Sequence, residues 1–304
     1  MIVVRGFEAP DAEPISELFT RVYGERYFYP QIYLPSVIRH HNRSQHWQSV
    51  VALRGERIVG HALLWRSSED ASCAELAMIV VDPQLRGRGI AGRMSRYLCD
   101  HARRQGMSLL TIKMVASHLW SQRLGMSLGF QATGLLLDYV ESGLSAHSRE
   151  SAILGVLALQ AQPIPMPGLE GGRPQWLAQL LERFGRVPAG ICQHRIEPTR
   201  IALEENRLDL TLEHPCEADV REVMRLSTRR LIHLRVRLDA SLPCVLPGLH
   251  RAGFADTGLA LGPGRQWYWL LQRGFADSPL QLHCPMARAI HAQARQCVVL
   301  AQSG

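Results

Sequence analysis

The run Arg86-Gly87-Arg88-Gly89-Ile90-Ala91 carries the clearest chemistry in this 304-residue sequence. It follows a strongly apolar stretch, Ala74 to Val81, which Asp82-Pro83 stops because proline lacks the N–H that a strand ladder needs. It leads into a segment whose apolar residues Ile90, Met94, Tyr97 and Leu98 recur at helical spacing, with Arg93, Arg96, Arg103 and Arg104 on the opposite surface. A glycine-bearing turn between a strand and a helix start presents unpartnered backbone N–H groups at the positive end of the helix dipole, so a pyrophosphate can supply the missing acceptors. Gly87 and Gly89 let phosphates approach the backbone closely. A P-loop lysine followed by Ser or Thr is absent, and nucleoside triphosphates and NAD fit poorly.

Glu75 is the second residue of interest. On a regular strand 75, 77, 79 and 81 share one face, so Glu75 is expected to face the same cleft as Ile79 and Val81. An amine with a pKa of about 10 arrives protonated and must lose a proton before it attacks. A carboxylate raised toward neutrality by burial can take that proton, through water. The other reading of Glu75 is a strand-edge acid in a structural ion pair.

The elements that hold these residues follow from the pattern on either side. Ile2 to Gly6 reads as a strand, and Asp11 is placed to cap a helix through Ile15, Leu18 and Phe19 that Gly24 ends. A loop rich in aromatic residues (Tyr27, Phe28, Tyr29, Tyr33) follows, either packed on the sheet or forming a substrate-contacting lip. Ser49 to Leu53 and Arg57 to Trp65 make a hairpin about Arg54-Gly55-Glu56. Leu109 to Val115 is a strand, His118 to Leu128 a short helix closed by Gly129, and Ala152 to Leu159 a last strand: a mixed α/β order around a core sheet. Gln162 to Pro174 holds four prolines and three glycines, which marks a linker. Beyond it come a helix from Gln175 to Phe184, a strand from Leu208 to Glu213, a helix from Asp219 to Leu231 and a strand from Ile232 to Leu238.

The strand ending in Val81-Asp82-Pro83, then Arg86-x-x-Gly89-x-Ala91, resembles motif A of the GNAT superfamily of N-acetyltransferases. His118-x-x-Ser121-x-x-Leu124-x-x-x-Leu128-Gly129-Phe130 is similar to its motif B, so the resemblance covers about the first half of the chain. It implies a catalytic α/β domain of GNAT fold, with a mixed central sheet, over residues 1–160, and acetyl-CoA or another acyl-CoA as cofactor. The cofactor would lie against the backbone of Ile79, Val80 and Val81, the loop residues Arg86, Gly87, Arg88, Gly89, Ile90 and Ala91, and His118. By the same likeness the strand of Ile79 splays from its neighbour, and a backbone N–H there meets the thioester carbonyl and stabilises negative charge developing on its oxygen.

Glu75 matches the catalytic glutamate of some histone-acetylating members. Where many members carry a tyrosine that protonates the leaving thiolate, this sequence has Gly125. Tyr139, on the following strand, and His118, at the family's common Asn position, are the residues that would stand in, unless the thiolate leaves unassisted. Neither Cys73 nor Cys99 has a histidine beside it in an activating pattern, so direct attack by the amine is expected rather than an acyl-enzyme.

The second half resembles the same family more weakly. Pro243 to Gly253-Phe254 is similar to motif B and Trp267 to Gln272 to the terminal strand, but His214-Pro215-Cys216-Glu217-Ala218 stands where the phosphate loop would be. The resemblance implies a tandem protein: a linker at 161–174, then a smaller, degenerate GNAT-like domain over 175–304 with a C-terminal helical tail, binding no CoA and completing the substrate side of the first. On the strand from Ile232 to Leu238 the polar positions are His233, Arg235 and Arg237, either a solvated surface or an anion contact for an acidic substrate.

Composition bounds the rest. No stretch is long and apolar enough for a membrane helix and no leader pattern opens the chain, so a cytoplasmic protein without membrane contact is expected. The seven cysteines include no CxxC pair, and Cys192-x-His194 and His283-Cys284 are too sparse for a metal site, so reduced thiols and no metal are expected. The net charge of +7 is spread along the chain and interleaved with acids, which speaks against nucleic acid, and a basic balance equally suits an acidic cofactor. Nearly all the basic charge is arginine, and Lys113 is the only lysine. The acceptor expected is an amine on a small molecule or a protein, with two rival readings: an aminoacyl-tRNA-dependent acyltransferase and a non-catalytic acyl-CoA sensor.

Overall fold

The computed structural model describes residues 1–304 except 67–69, 142–148, 169–173, 191–199, 205–206, 228–229, 277 and 303–304. The first half runs β1 (Val3–Gly6), α1 (Ala12–Tyr23), α2 (Pro35–Arg43), β2 (Trp47–Arg54), β3 (Arg57–Arg66), β4 (Cys73–Val81), α3 (Ile90–Arg104), β5 (Leu109–Val115), α4 (Leu119–Ser127), β6 (Gln131–Glu141) and β7 (Arg149–Ala158). Its strands lie in the order β1-β2-β3-β4-β5-β7-β6, all antiparallel neighbours except the parallel pair β4–β5, which α3 connects. One sheet face packs on α3, through Ile90, Met94 and Leu98; the other packs on α1, through Ile15, Leu18 and Phe19.

Two local expectations change. Asp11 stands at the N-cap of α1 but does not bond the helix: its carboxylate takes the Arg5 guanidinium at 2.6 and 2.9 Å and the Glu8 N–H. The loop after Gly24 contains α2, whose start at Pro35 suits a first-turn proline.

The second half runs β8 (Ile164–Met166), α5 (Gln175–Phe184), β9 (Arg186–Pro188), β10 (Arg200–Glu204), β11 (Arg207–Leu212), α6 (Glu217–Met224), β12 (Leu231–Arg237), α7 (Leu242–Arg251), β13 (Ala255–Leu261), β14 (Trp267–Arg273) and α8 (Pro285–Gln302). The helix expected from Asp219 to Leu231 is shorter, because Leu231 already opens β12. The proline-rich stretch supplies β8, which pairs with β9 in a separate two-stranded sheet. The order β10-β11-β12-β14-β13 repeats β3-β4-β5-β7-β6, with the same parallel central pair and helices at the same connections.

The halves join edge to edge into one twelve-stranded sheet through β6 and β13. Their ladder contact is Gly134 with Gly258. A Cβ on Gly134 would sit 2.7 Å from the Leu259 carbonyl oxygen and one on Gly258 2.4 Å from that of Thr133, so only glycine allows this approach. Gln272 clamps the seam, accepting from the Leu137 N–H and donating to the Leu135 carbonyl, and α8 buries Ala287 and Ile290 over it. The apolar core is continuous across both halves, so the second is not set off as a discrete unit.

Candidate active site

The expected anion loop has the geometry its sequence requires. Asp82 is buried, accepts from the Gln84 N–H at 3.1 Å and pairs with Arg57 at 2.8 Å, which anchors the turn. Gly87 and Gly89 take φ of 76° and 71°, and Gly89 is the N-cap of α3. A side chain at either glycine would meet nothing within 4 Å, and no backbone N–H from Gly87 to Gly92 has a hydrogen-bond partner among the described residues. Arg86 and Arg88 are exposed beside it. The loop thus fits a pyrophosphate. Gly87, Gly89 and Gly92 do spell G-x-G-x-x-G, a spacing shared with dinucleotide sites, but β5 carries no acidic residue to take a ribose.

Pairing of β4 with β5 ends at Leu76↔Ile112, although both strands continue, to Val81 and Val115. Past that point the β5-facing edge of Ile79, Val80 and Val81 has no strand partner among the described residues. A V-shaped opening therefore leads from the anion loop between the two strands, with exposed His118 at the N-cap of α4 on its β5 side.

The expectation that 75, 77, 79 and 81 share a face fails. Between His61↔Val80 and Leu63↔Ala77, β4 spends two residues, Met78 and Ile79, against the single Ala62 of β3. Met78 sits at φ 51°, and this bulge reverses the alternation. Ile79 and Val81 pack with Ala74 and Leu76 toward α3, whereas Ala77, Met78 and Val80 pack toward the aromatic loop. Buried His61 holds the bulge: its Nδ1 meets the Met78 carbonyl at 3.2 Å and its Nε2 meets the Ser49 hydroxyl at 3.1 Å. Burial lowers its pKa to about 4, so the ring is neutral and donates through Nδ1.

Glu75 faces the aromatic loop, with an unforeseen partner. Its Oε2 lies 2.5 Å from Nζ of Lys113, the chain's only lysine, and both side chains are about three-quarters buried. Glu75 stands opposite Thr111 in the parallel register, so Lys113 lies on the same face two residues on, where the strands begin to part. Burial alone would lower the ammonium's pKa; the Glu75 charge, aided by Tyr139 and Tyr29, outweighs it and the net shift is upward. Tyr29, mostly buried, is pushed up to about 12 chiefly by burial.

Tyr139 joins this cluster from the far side. Leu137, Asp138 and Tyr139 of β6 lie opposite the single Ser151 of β7, and Asp138 adopts φ 50°. The irregularity carries Tyr139 between the halves: Phe28 at 6.2 Å between ring centroids on one side, His233 stacked at 6.1 Å and the Arg207 guanidinium 4.4 Å from the ring on the other. Gly125 is buried, and a Cβ there would lie 2.5 Å from the Met114 sulfur, so Met114 fills the space that a side chain at the usual tyrosine position needs. Burial pushes the Cys73 and Cys99 thiols up to about 11, with the Asp70 carboxylate adding to the shift at Cys73. Neither is a thiolate nucleophile. Cys192 and His194 lie outside the described residues.

Residues 12–130 match the model of the acetyltransferase (GNAT) family. The N-terminal half carries a GNAT acetyltransferase domain. It is an acyl-CoA-dependent transferase domain. Similar solved structures include an N-acetyltransferase from Staphylococcus aureus Mu50, with 19% identity over 53% of this chain and 99% of that one, at a TM-score of 0.47. The ribosomal-protein-S18-alanine N-acetyltransferase from Escherichia coli has 20% identity over 57% and 99%, at 0.44. yncA from Salmonella typhimurium, with its cofactor acetyl-CoA, has 19% over 52% and 94%, at 0.45. No curated protein matches the chain. No helix among the described residues is long and apolar enough to cross a membrane.

Proposed function

We propose that this protein transfers an acetyl group from acetyl-CoA to an amine by direct attack, with residues 1–160 as the catalytic unit and residues 175–304 as a degenerate GNAT-like lobe. The observation that carries the reading is the opening between β4 and β5 running from a loop of unpartnered N–H groups to the Glu75–Lys113 pair. When bound, acetyl-CoA supplies an acyl group activated as a thioester. Arg86 to Ala91 would hold its pyrophosphate, the β4 edge from Ile79 to Val81 would offer backbone donors along the opening, Ile79 among them for the thioester carbonyl, and His118 would line the β5 side.

The acceptor lies between the aromatic loop and Glu75. The Glu75 carboxylate, held in place by Lys113, attracts the protonated amine and takes its proton through water. A C–N bond then replaces the C–S bond; the nitrogen gives up its second proton to water, the Tyr139 phenol would give its proton to sulfur, and solvent would reprotonate the phenolate. The second lobe closes the acceptor side through Arg207 and His233, which hold the Tyr139 ring.

A donor and amine screen with purified protein, read by mass spectrometry of acylated products, tests this. Product from acetyl-CoA is expected. Product only from aminoacyl-tRNA, or tight CoA binding with no product from any amine, overturns the reading in favour of a tRNA-dependent transferase or a sensor.

A further inference from the structure

On the far side of Tyr139 lies a second feature that the transfer chemistry does not use. A cavity of about 210 Å³ sits at the seam, walled by Leu136 and Tyr139 of β6 and by Asp209, Thr211, His233 and Arg235 of the second half. That is several times a water molecule's share of about 30 Å³.

Its charges are unbalanced. Buried Arg207 is committed to Asp209, with Nε and Nη2 on the two carboxylate oxygens at 2.7 and 2.8 Å. Arg235 has no ion-pair partner among the described residues, whereas Arg237, the next polar position along β12, is engaged by Glu213 at 3.8 Å and by Gln266. One uncompensated positive charge therefore faces the cavity, and a guanidinium without a counter-ion is a ready carboxylate site.

His233 supplies the second, independent observation. The residue is 5% exposed, and its Nε2 lies 2.8 Å from the Leu137 carbonyl, which can only accept. The proton thus sits on Nε2. Burial lowers the pKa of the ring to about 3, outweighing Asp209, so Nδ1 is a bare lone pair. Nδ1 has no hydrogen-bond partner among the described residues, and Asp209 Oδ1 lies 3.8 Å away, beyond hydrogen-bond reach. The wall thus presents a cation that lacks an anion beside an acceptor that lacks a donor.

We propose that this seam cavity binds the anionic end of the acceptor, which is a small amine bearing a carboxylate and a nearby N–H or O–H group, as in an amino acid or a close derivative. The carboxylate pairs with Arg235, and the neighbouring donor serves His233 Nδ1. Tyr139 borders this cavity and also acts on the Lys113 charge of the Glu75–Lys113 cleft, which places the reacting amine of the proposed acceptor on the Glu75 side of that ring. The assignment rests on that cleft being the acceptor site. It also gives the second half a role: three of the four polar residues on its β11 and β12 strands that line the cavity (Thr211, His233, Arg235) are free to meet a ligand.

The test uses the full chain and amines matched in pairs, free amino acids and their carboxamides, with acetyl-CoA as donor. Wild type is expected to favour the carboxylate of a pair by about tenfold or more in kcat/KM. Arg235→Gln should erase that preference through KM with CoA affinity unchanged, and Arg235→Lys should restore part of it. Equal use of both members by wild type, or an unchanged KM in Arg235→Gln, overturns the subsite. If CoA binds and no amine is acylated, the acceptor reading has failed, and the cavity is judged by the ¹⁵N resonances of His233 during titration with free amino acids. A shift at Nδ1 that Arg235→Gln removes supports the subsite; no shift overturns it.

Discussion

The chain builds one strand–helix–strand topology twice, and the two copies differ where the cofactor would enter. At the first junction β4 and β5 are paired only as far as Leu76↔Ile112 and then part; at the second β11 and β12 stay paired from Arg207↔Leu231 to Leu212↔Val236. The start of α3 leaves its N–H groups open beneath two glycines. The start of α6 is closed by a capping box instead, with the Asp219 carboxylate accepting from the Cys216 N–H at 2.8 Å, and Glu217 and Asp219 add negative charge where an anion would sit. Pro215 has no N–H to offer. Identical connectivity therefore does not confer a site: a bulge that ends the pairing and a loop that leaves donors unmet do.

The largest effect should come from filling the open junction. Gly89→Asp places a carboxylate where the pyrophosphate would sit, and CoA affinity should fall by about a hundredfold or more. Calorimetry should give one CoA per wild-type chain and none for the variant; two per chain would mean that the zipped junction also binds, and the contrast between the halves would collapse.

Glu75→Gln should lower turnover by about a hundredfold or more with CoA affinity nearly unchanged, because the carboxylate acts on the amine. It also leaves the Lys113 ammonium without its partner, at a cost of about 1–3 kcal/mol. Adding Lys113→Gln should recover stability, measured by denaturant unfolding, without recovering turnover; wild-type turnover in Glu75→Gln at every pH would remove the base.

The Met78 bulge, which the matching β10–β11 ladder of the second half lacks, is pinned by His61, and acid should reveal it. The folded ring has its pKa lowered to about 4 by burial, so from about pH 6.5 down to 4 the unfolded chain binds a proton that the folded chain does not. Stability is full above that window and is lost as pH falls through it, by about 3 kcal/mol for this residue. His61→Asn should start less stable and show a shallower slope, with the contribution of His233, also lowered by burial, remaining. Equal slopes in urea unfolding between pH 4 and 6.5 would show that His61 does not hold the bulge in its neutral form.

The smallest effect belongs to the closed junction. Asp219→Ala removes the acid that caps α6 and should cost about 1 kcal/mol while leaving CoA binding untouched. A change in CoA affinity would implicate the second junction in the cofactor site.

The sequence alone determined what depends on local chemistry. The strand, proline stop, glycine turn and amphipathic helix around Arg86 to Ala91 were legible because each is a neighbour-to-neighbour constraint, and most of the elements flanking them were too. The failure of the family tyrosine position at Gly125 was legible for the same reason, as was the His-Pro-Cys-Glu run in place of a second loop. Tertiary structure decided whatever depends on register or on residues far apart in the chain. The Met78 bulge leaves no periodic trace, so a face read from alternation was wrong past Ala77. The Glu75–Lys113 pair needs the parallel register of β4 and β5, and only the tertiary fold shows that Met114 fills the space beside Gly125. The seam cavity needs two glycines to bring β6 against β13 and an irregular β6 to turn Tyr139 toward His233, so it exists in neither half by itself.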